Sequence, residues 1–97
     1  MPYVLLKNKE AIKDRIENLS RYINLPNPNF NGFMKWILDL RKELGIPHTL
    51  KKLIEEDTRF EEMSVMALKD PSTGGNPVKL TNNDFLQLYR NSFEGIL

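Results

Sequence analysis

The sequence contains no cysteine, one histidine and a formal net charge of only +1 over its 97 residues. Without cysteine, the chain cannot form disulfides or thiolate metal sites. Lysine and arginine alternate with acidic residues, so the sequence lacks the concentrated basic field that a nucleic-acid-binding protein needs. The apolar run at residues 3–6 is too short to span a bilayer or to act as a signal peptide. We therefore expect a cytoplasmic protein with no nucleic acid and no membrane among its partners.

The residues that are present give the composition of an ordinary globular protein, with 40% hydrophobic and 28% charged residues. Apolar residues recur at helical spacing, and no segment shows the period-2 alternation of a strand. The pattern predicts an all-α fold, an irregular bundle of about four helices plus a short helical turn. Residues 1–97 are expected to form a single domain, since no repeat, low-complexity segment or long linker interrupts them.

The first half of the chain contains two predicted helices, separated by Pro26 and Pro28, which a continuous helix cannot accommodate. The first should begin after Asn8, with the Asn8 side chain capping the backbone N–H groups that follow. The second should cover residues 31–44 and stop at Gly45, which suits the left-handed position that ends many helices. The residues expected on the buried faces are Ile12, Ile16, Leu19 and Ile23 in the first helix, and Phe33, Met34, Ile37, Leu38 and Leu40 in the second.

The second half predicts a short helical turn after His48 and two further helices. Thr58 and Thr81 are each followed three residues later by an acid, which is typical of a capping box at a helix start. The helix that begins near Thr58 should end before Asp70, where a proline follows. The residues expected on the buried faces are Phe60, Met63, Met66 and Ala67 in the first of these helices, and Phe85, Leu88, Tyr89 and Phe93 in the second.

The residue types that carry chemistry are not arranged in a recognisable catalytic or metal site. His48, the only histidine, follows a proline at a helix start, and a structural hydrogen bond is the favoured interpretation. The carboxylates at 55–57 and 61–62 lie in solvated-looking runs, and no serine has a GxSxG setting. The string at 70–77 has two adjacent glycines that do not form a phosphate-binding loop and are expected to permit positive φ in a tight turn. A position bordering a functional cleft is the alternative for this string.

Two strings of the sequence resemble the C-terminal end of the iron-containing (group III) alcohol dehydrogenases: GIPHTL at 45–50 and ALKDPSTGGNPVKLTNNDFLQLY at 67–89. The stretches MPYVL at 1–5 and NGFMKWILDLRKELGIPHTL at 31–50 are similar to the helical domain of the same family. The order and the spacing of these strings also fit, so the resemblance covers nearly the whole chain. It implies that residues 1–97 are part of a larger helical domain.

The resemblance implies a two-domain enzyme that interconverts alcohols and aldehydes. In that family an α/β domain binds NAD or NADP, and the helical domain binds iron, or sometimes zinc, through one aspartate and three histidines. No residue of this sequence matches those ligands, and the glycine-rich cofactor loop has no counterpart, so we expect no catalytic, cofactor-binding or metal-binding residue in this chain. The positions that the resemblance brings near the cleft are Ser72, Thr73, Gly74, Gly75 and Asn76.

These features favour a C-terminal fragment of such a dehydrogenase that is inactive alone. Its partner would be the missing N-terminal part of the enzyme, or a second copy bound through the apolar residues 3–6. The alternative is a free-standing helical protein-interaction module.

Overall fold

All regular structure in residues 1–54 and 59–97, the parts of the chain that the computed structural model describes, is helical. Five α-helices follow one another: α1 (Pro2–Lys7), α2 (Lys9–Tyr22), α3 (Phe30–Glu43), α4 (Phe60–Lys69) and α5 (Asn82–Glu94). Two 3₁₀ segments, Leu50–Lys52 and Pro71–Gly75, precede and follow α4. The predicted all-α fold is confirmed, with α1 as a helix that the sequence pattern had not suggested.

Contacts divide the chain into two compact units, Met1–Pro47 and His48–Leu97. In the first unit, α2 packs against α3, and α1 contacts both. The core comes mainly from α3, whose buried residues recur at the i, i+3, i+4, i+7 spacing of one helix face. These residues are Phe30, Phe33, Met34 and Ile37, and Pro2 and Tyr3 of α1 are buried as well.

The predicted start of α2 is right, but the predicted cap is wrong. Asn8 lies between α1 and α2 with helical backbone angles, φ −87° and ψ 0°, and its side chain makes no capping hydrogen bond. A side-chain cap needs an extended residue at this position. Because α1 leads directly into α2, Asn8 continues the helical path, and it is buried.

The predicted apolar stripe of α2 is only partly right. Leu19 is 43% exposed, whereas Ser20 is completely buried. The Ser20 hydroxyl donates to the Ile16 carbonyl at 2.7 Å, so its burial leaves no hydroxyl without a partner. A stripe read from apolar residues alone misses such a serine.

Both ends of α3 are set by short-range hydrogen bonds. The Asn29 side chain accepts a hydrogen bond from the Gly32 N–H at 2.8 Å and caps the first turn. Gly45 has φ +71°, and the N–H of Ile46 donates to the Arg41 carbonyl at 2.9 Å. This is the left-handed stop that Gly45 predicts. Leu40, expected on the buried face, is 38% exposed.

In the second unit, α4 packs against α5, and the 3₁₀ turn Leu50–Lys52 also contacts α5. The predicted capping box of α5 is confirmed: the Thr81 N–H donates to Asp84 Oδ2 at 2.9 Å, and the Asp84 N–H donates to Thr81 Oγ1 at 3.2 Å. The predicted box at Thr58 lies outside the described residues. Buried positions in this unit are Phe60, Ser64, Leu80 and Phe93.

The beginning and the end of the second unit meet through His48. Its Nε2 lies 3.0 Å from the carbonyl oxygen of Gly95, the residue that ends α5 with φ +79°. A Cβ at Gly95 would come within 2.6 Å of the Thr49 methyl carbon and 3.1 Å of His48 Cδ2. The structural role predicted for His48 is confirmed, and only glycine fits both the backbone angle and the space at residue 95.

Candidate functional site

The candidate site is built around the string DPSTGGNP, which links α4 to α5. Asp70 ends α4 in an extended conformation, and its carboxylate accepts hydrogen bonds from the Ser72 N–H at 2.8 Å and from the Ser72 hydroxyl at 2.5 Å. Pro71 occupies the first position of the 3₁₀ segment, where a missing N–H costs nothing. These contacts give the string a defined start directly after α4.

Thr73 holds the 3₁₀ segment against the end of α4. Its hydroxyl donates to the Ala67 carbonyl at 2.6 Å, and its N–H donates to the Asp70 carbonyl at 3.1 Å. Beyond the segment, the Asn76 side chain donates to the Val78 carbonyl at 2.6 Å. The string therefore forms a defined, hydrogen-bonded cap on one end of α4.

The prediction of positive φ at the two glycines of this string is wrong. Positive φ among the described glycines occurs at Gly45 and Gly95, whereas Gly74 and Gly75 belong to the 3₁₀ segment. The reason is the cap supplied by Asp70, which starts a 3₁₀ turn that needs only right-handed backbone angles.

An open groove of about 410 Å³ runs beside this cap, and we call it the methionine groove. It is lined by Met63, Met66, Ala67, Asp70, Ser72, Thr73 and Tyr89. Of the five positions expected beside a cleft, Ser72 and Thr73 line the groove, whereas Gly74, Gly75 and Asn76 are not among its lining residues. The groove thus joins part of the DPSTGGNP string to one flank of α4 and to α5.

The methionine groove rests on an aromatic cluster. The Phe60 ring is 3% exposed and lies 5.6 Å from the rings of both Tyr89, in a stacked arrangement, and Phe93, edge to face. Met63 and Met66, expected on the buried face of α4, are 37% and 67% exposed. That expectation is wrong because α5 covers only the side of α4 that carries Phe60 and Ser64.

Asp70 gives the methionine groove a negative charge. Hydrogen bonds from the Ser72 hydroxyl, and then from the Ser72 N–H, hold the pKa of the Asp70 carboxyl below its ordinary value. These bonds favour the ionised form, so the carboxylate carries its charge at neutral pH. Among residues 1–54 and 59–97, no other residue that lines the groove is charged.

A second, smaller groove of about 180 Å³ lies in the first unit, where α3 meets the turn before it. Trp36 is 41% exposed on this side, with its ring 5.7 Å from that of Phe33. A Cβ at Gly32 would fall 1.9 Å from the Asn27 carbonyl oxygen, so the turn lies directly on the helix. The lining residues are Leu25, Pro26, Asn27, Gly32, Lys35, Trp36 and Asp39. The apolar pattern of the sequence does not predict this groove, and a tryptophan soon after a proline-rich turn is the one sequence feature that marks it.

The apolar segment at residues 3–6 is partly covered within its own unit. Tyr3 is buried, while Val4 and Leu6 are 42% and 37% exposed. Burial raises the pKa of the Tyr3 hydroxyl, an effect that the Arg41 guanidinium opposes. Self-association through this segment stays a prediction, with a smaller apolar surface than the sequence suggests.

The described residues do not supply the ligand set of an iron or zinc site. Within residues 1–54 and 59–97, no three or more His, Cys, Asp or Glu side chains are grouped so that they could hold a metal ion. The imidazole of His48 contacts the Gly95 carbonyl oxygen. In the same residues, no helix is long and apolar enough to cross a membrane.

Comparison of the sequence with models of known protein families gave no match, and comparison with curated proteins gave no significant relative.

Proposed function

We propose that the chain is the C-terminal helical portion of an iron-containing, NAD(P)-dependent alcohol dehydrogenase, and that it forms part of the wall of the catalytic cleft. The metal and the nicotinamide would be bound by other parts of the enzyme, because the described residues do not fit a metal site. In this role the chain contributes shape and packing, and no group that takes part in the chemical step.

The observation that supports this proposal most directly is the incomplete burial of α4. Most residues of this helix are apolar, yet only Phe60 and Ser64 are buried. Met66 is exposed on one flank, and Val65 and Leu68 are 41% and 42% exposed on another. A helix that is apolar on several sides is normally enclosed by protein. The α4 helix therefore has the character of an internal helix whose remaining neighbours belong to another part of the protein or to a partner.

The DPSTGGNP string supports the same proposal. By resemblance it would face the active-site side of the helical domain, and Ser72 and Thr73 line the methionine groove. In the intact enzyme, these two residues would help to shape the cleft through backbone positions fixed by Asp70 and Ala67.

The native size of the protein tests the proposal first. An antibody raised against the purified chain should detect a product several times larger than 11.3 kDa in the source cells. A product at the size of the chain itself would contradict it.

The purified chain, supplied with ferrous iron, NAD or NADP and a panel of alcohols, should not produce reduced nicotinamide, and turnover would show that it holds catalytic groups of its own.

Reconstitution gives a second test. Co-expression of the chain with a separately made N-terminal part of such a dehydrogenase should restore activity. In the restored enzyme, Ser72→Leu should raise KM for the alcohol, because a larger side chain would narrow the cleft. Gly74→Ala is the matched control, since a Cβ at Gly74 meets no atom within 4 Å. Equal effects of the two substitutions would argue against a cleft position for Ser72.

A free-standing interaction module is the second candidate, and the exposed apolar flanks of α4 favour it as well. On this proposal, α4 binds a different protein. Co-purification of the chain with such a protein, together with a native product of 11.3 kDa, would support it. If the only partner that co-purifies is the remaining part of a dehydrogenase, the interaction-module proposal is excluded.

A further inference from the structure

We infer that the methionine groove is a docking site for a partner helix that carries lysine or arginine beside its apolar face. This inference rests on the second candidate function, a protein-interaction module, and specifies its surface and the chemistry of its partner. Three features of the groove lead to it: the exposed thioether side chains, the internally bonded hydroxyls of Ser72 and Thr73, and the carboxylate of Asp70.

The apolar wall of the groove has the form of a helix-binding surface. Met63 and Met66 lie three residues apart on α4 and therefore form one continuous ridge. They face Tyr89, whose ring is stacked on the buried Phe60. Flexible thioethers over a rigid aromatic floor adapt to the side chains of an incoming amphipathic helix.

The Ser72 and Thr73 hydroxyls of the groove have no proton left to donate to a small polar ligand. The Ser72 hydroxyl donates to Asp70, and the Thr73 hydroxyl donates to the Ala67 carbonyl. Small-molecule sites normally present several polar groups that converge on the ligand. Apart from the Tyr89 hydroxyl, the described lining of the groove offers mainly apolar contact and one charge.

The sign of that charge selects the partner. Within the described part of the chain, Asp70 is the one charged residue of the lining, and its carboxylate is in no ion pair. The C-terminal end of α4, which Asp70 follows, adds negative potential from the helix dipole. Of the nearby basic residues, Arg59 is paired with Glu62 at 3.3 Å, and neither it nor Lys69 lines the groove. A cation beside the apolar face of the partner would complement this end of the groove.

Fluorescence anisotropy with designed peptides tests the inference on the full chain. The probe is a labelled helix of about 18 residues, with leucines along one face and lysines beside them, long enough to cover the groove. A second peptide carries glutamate in place of every lysine, and a third carries glutamine. We expect the lysine peptide to bind about tenfold more tightly than the glutamate peptide at low salt, with the glutamine peptide between them. Equal affinities, or preference for the glutamate peptide, would overturn the inference.

Two lysine substitutions on α4 locate the binding surface. Met66→Lys places a cation in the groove, whereas Leu68→Lys adds the same charge on the opposite side of the same helix, outside the lining. Both parent side chains are exposed, so circular dichroism should find both variants folded. Met66→Lys should weaken binding of the lysine peptide about tenfold, and Leu68→Lys should leave it within about twofold. Equal losses of affinity would overturn the groove as the binding site. The chain could then still bind a partner through another surface.

Asp70→Asn isolates the contribution of the charge. The asparagine oxygen can still accept the Ser72 hydrogen bonds, so the cap on α4 is kept. We expect a loss of about twofold to fivefold for the lysine peptide, because an exposed ion pair contributes little, and no loss for the glutamine peptide. A loss of the same size for both peptides would overturn the role of Asp70. Sedimentation equilibrium of the free chain must also show no self-association that Met66→Lys abolishes, since such self-association would assign the groove to a second copy.

Discussion

Replacing Phe60 by alanine should remove a large part of the stability of the second unit. Phe60 is 3% exposed and has ring contacts with both Tyr89 and Phe93. Truncating a buried phenylalanine costs about 3–5 kcal/mol from lost apolar burial and the resulting cavity. That cost includes the loss of two aromatic pairs, each of which contributes about 0.5–1.5 kcal/mol beyond simple burial. A small domain has a total stability of only about 5–15 kcal/mol, so the loss is a large part of it.

The assay for this prediction is urea unfolding followed by circular dichroism at 222 nm. With a slope of about 1–3 kcal/mol per molar urea, Phe60→Ala should lower the midpoint by at least about 1 M. Phe60→Leu keeps most of the apolar volume, and its shift should be less than half as large, which keeps the measurement interpretable if the alanine variant does not fold. Met66→Ala is the control, because its parent side chain is 67% exposed and its loss should cost below about 0.5 kcal/mol. A Phe60→Ala midpoint equal to that of Met66→Ala would refute the packing described for α4 and α5.

Three further predictions concern the ends of the helices. Thr81→Ala should lower the free energy of unfolding by about 0.5–2 kcal/mol, because it removes the capping box of α5, and Thr81→Ser should restore most of it in the same urea assay. Gly95→Ala should lower the thermal midpoint, since residue 95 has φ +79° and no room for a Cβ, while Gly74→Ala should leave the midpoint unchanged or slightly raised. The lowered pKa of Asp70 means that its carboxylate stabilises the fold above its ordinary pKa, and this contribution is lost as the pH falls through the folded-state value. Thermal melts of the parent and of Asp70→Asn should therefore converge as the solution is acidified, and a constant gap down to acid pH would contradict this assignment.

The parts of the fold that the sequence predicts well are those set by a few neighbouring residues. The capping box at Thr81 depends on hydrogen bonds across three residues, and the stop at Gly45 depends on a backbone angle that glycine adopts without strain. The pattern of apolar residues also located α3 and α5, since each carries a dominant apolar face. Such signals are local, so tertiary packing rarely changes them.

The features of the fold that the sequence does not predict depend on which helices pack against one another. Met66 and Phe60 both belong to the apolar pattern of α4, and only the position of α5 decides that one is buried and the other exposed. Ser20 is buried because its hydroxyl is satisfied within α2, which a hydrophobicity pattern does not register. Contrary to the expectation from the sequence, the Asn8 side chain does not cap α2, because α1 leads directly into α2. A position of Ser72 and Thr73 beside a catalytic cleft stays a prediction from the resemblance, while the groove that they line in the structure could be found only from the packing of α4 against α5.

The contact between His48 and Gly95 brings together the two ends of a segment 47 residues apart in sequence. A unit whose first and last residues are neighbours can be moved between proteins, because a host loop needs only a small gap to accept it. It can also be cut elsewhere and rejoined through a short linker between those ends, with new termini placed between Gly74 and Gly75, both of which are exposed. The second unit is therefore a natural candidate for circular permutation and for insertion into the surface loop of an unrelated host.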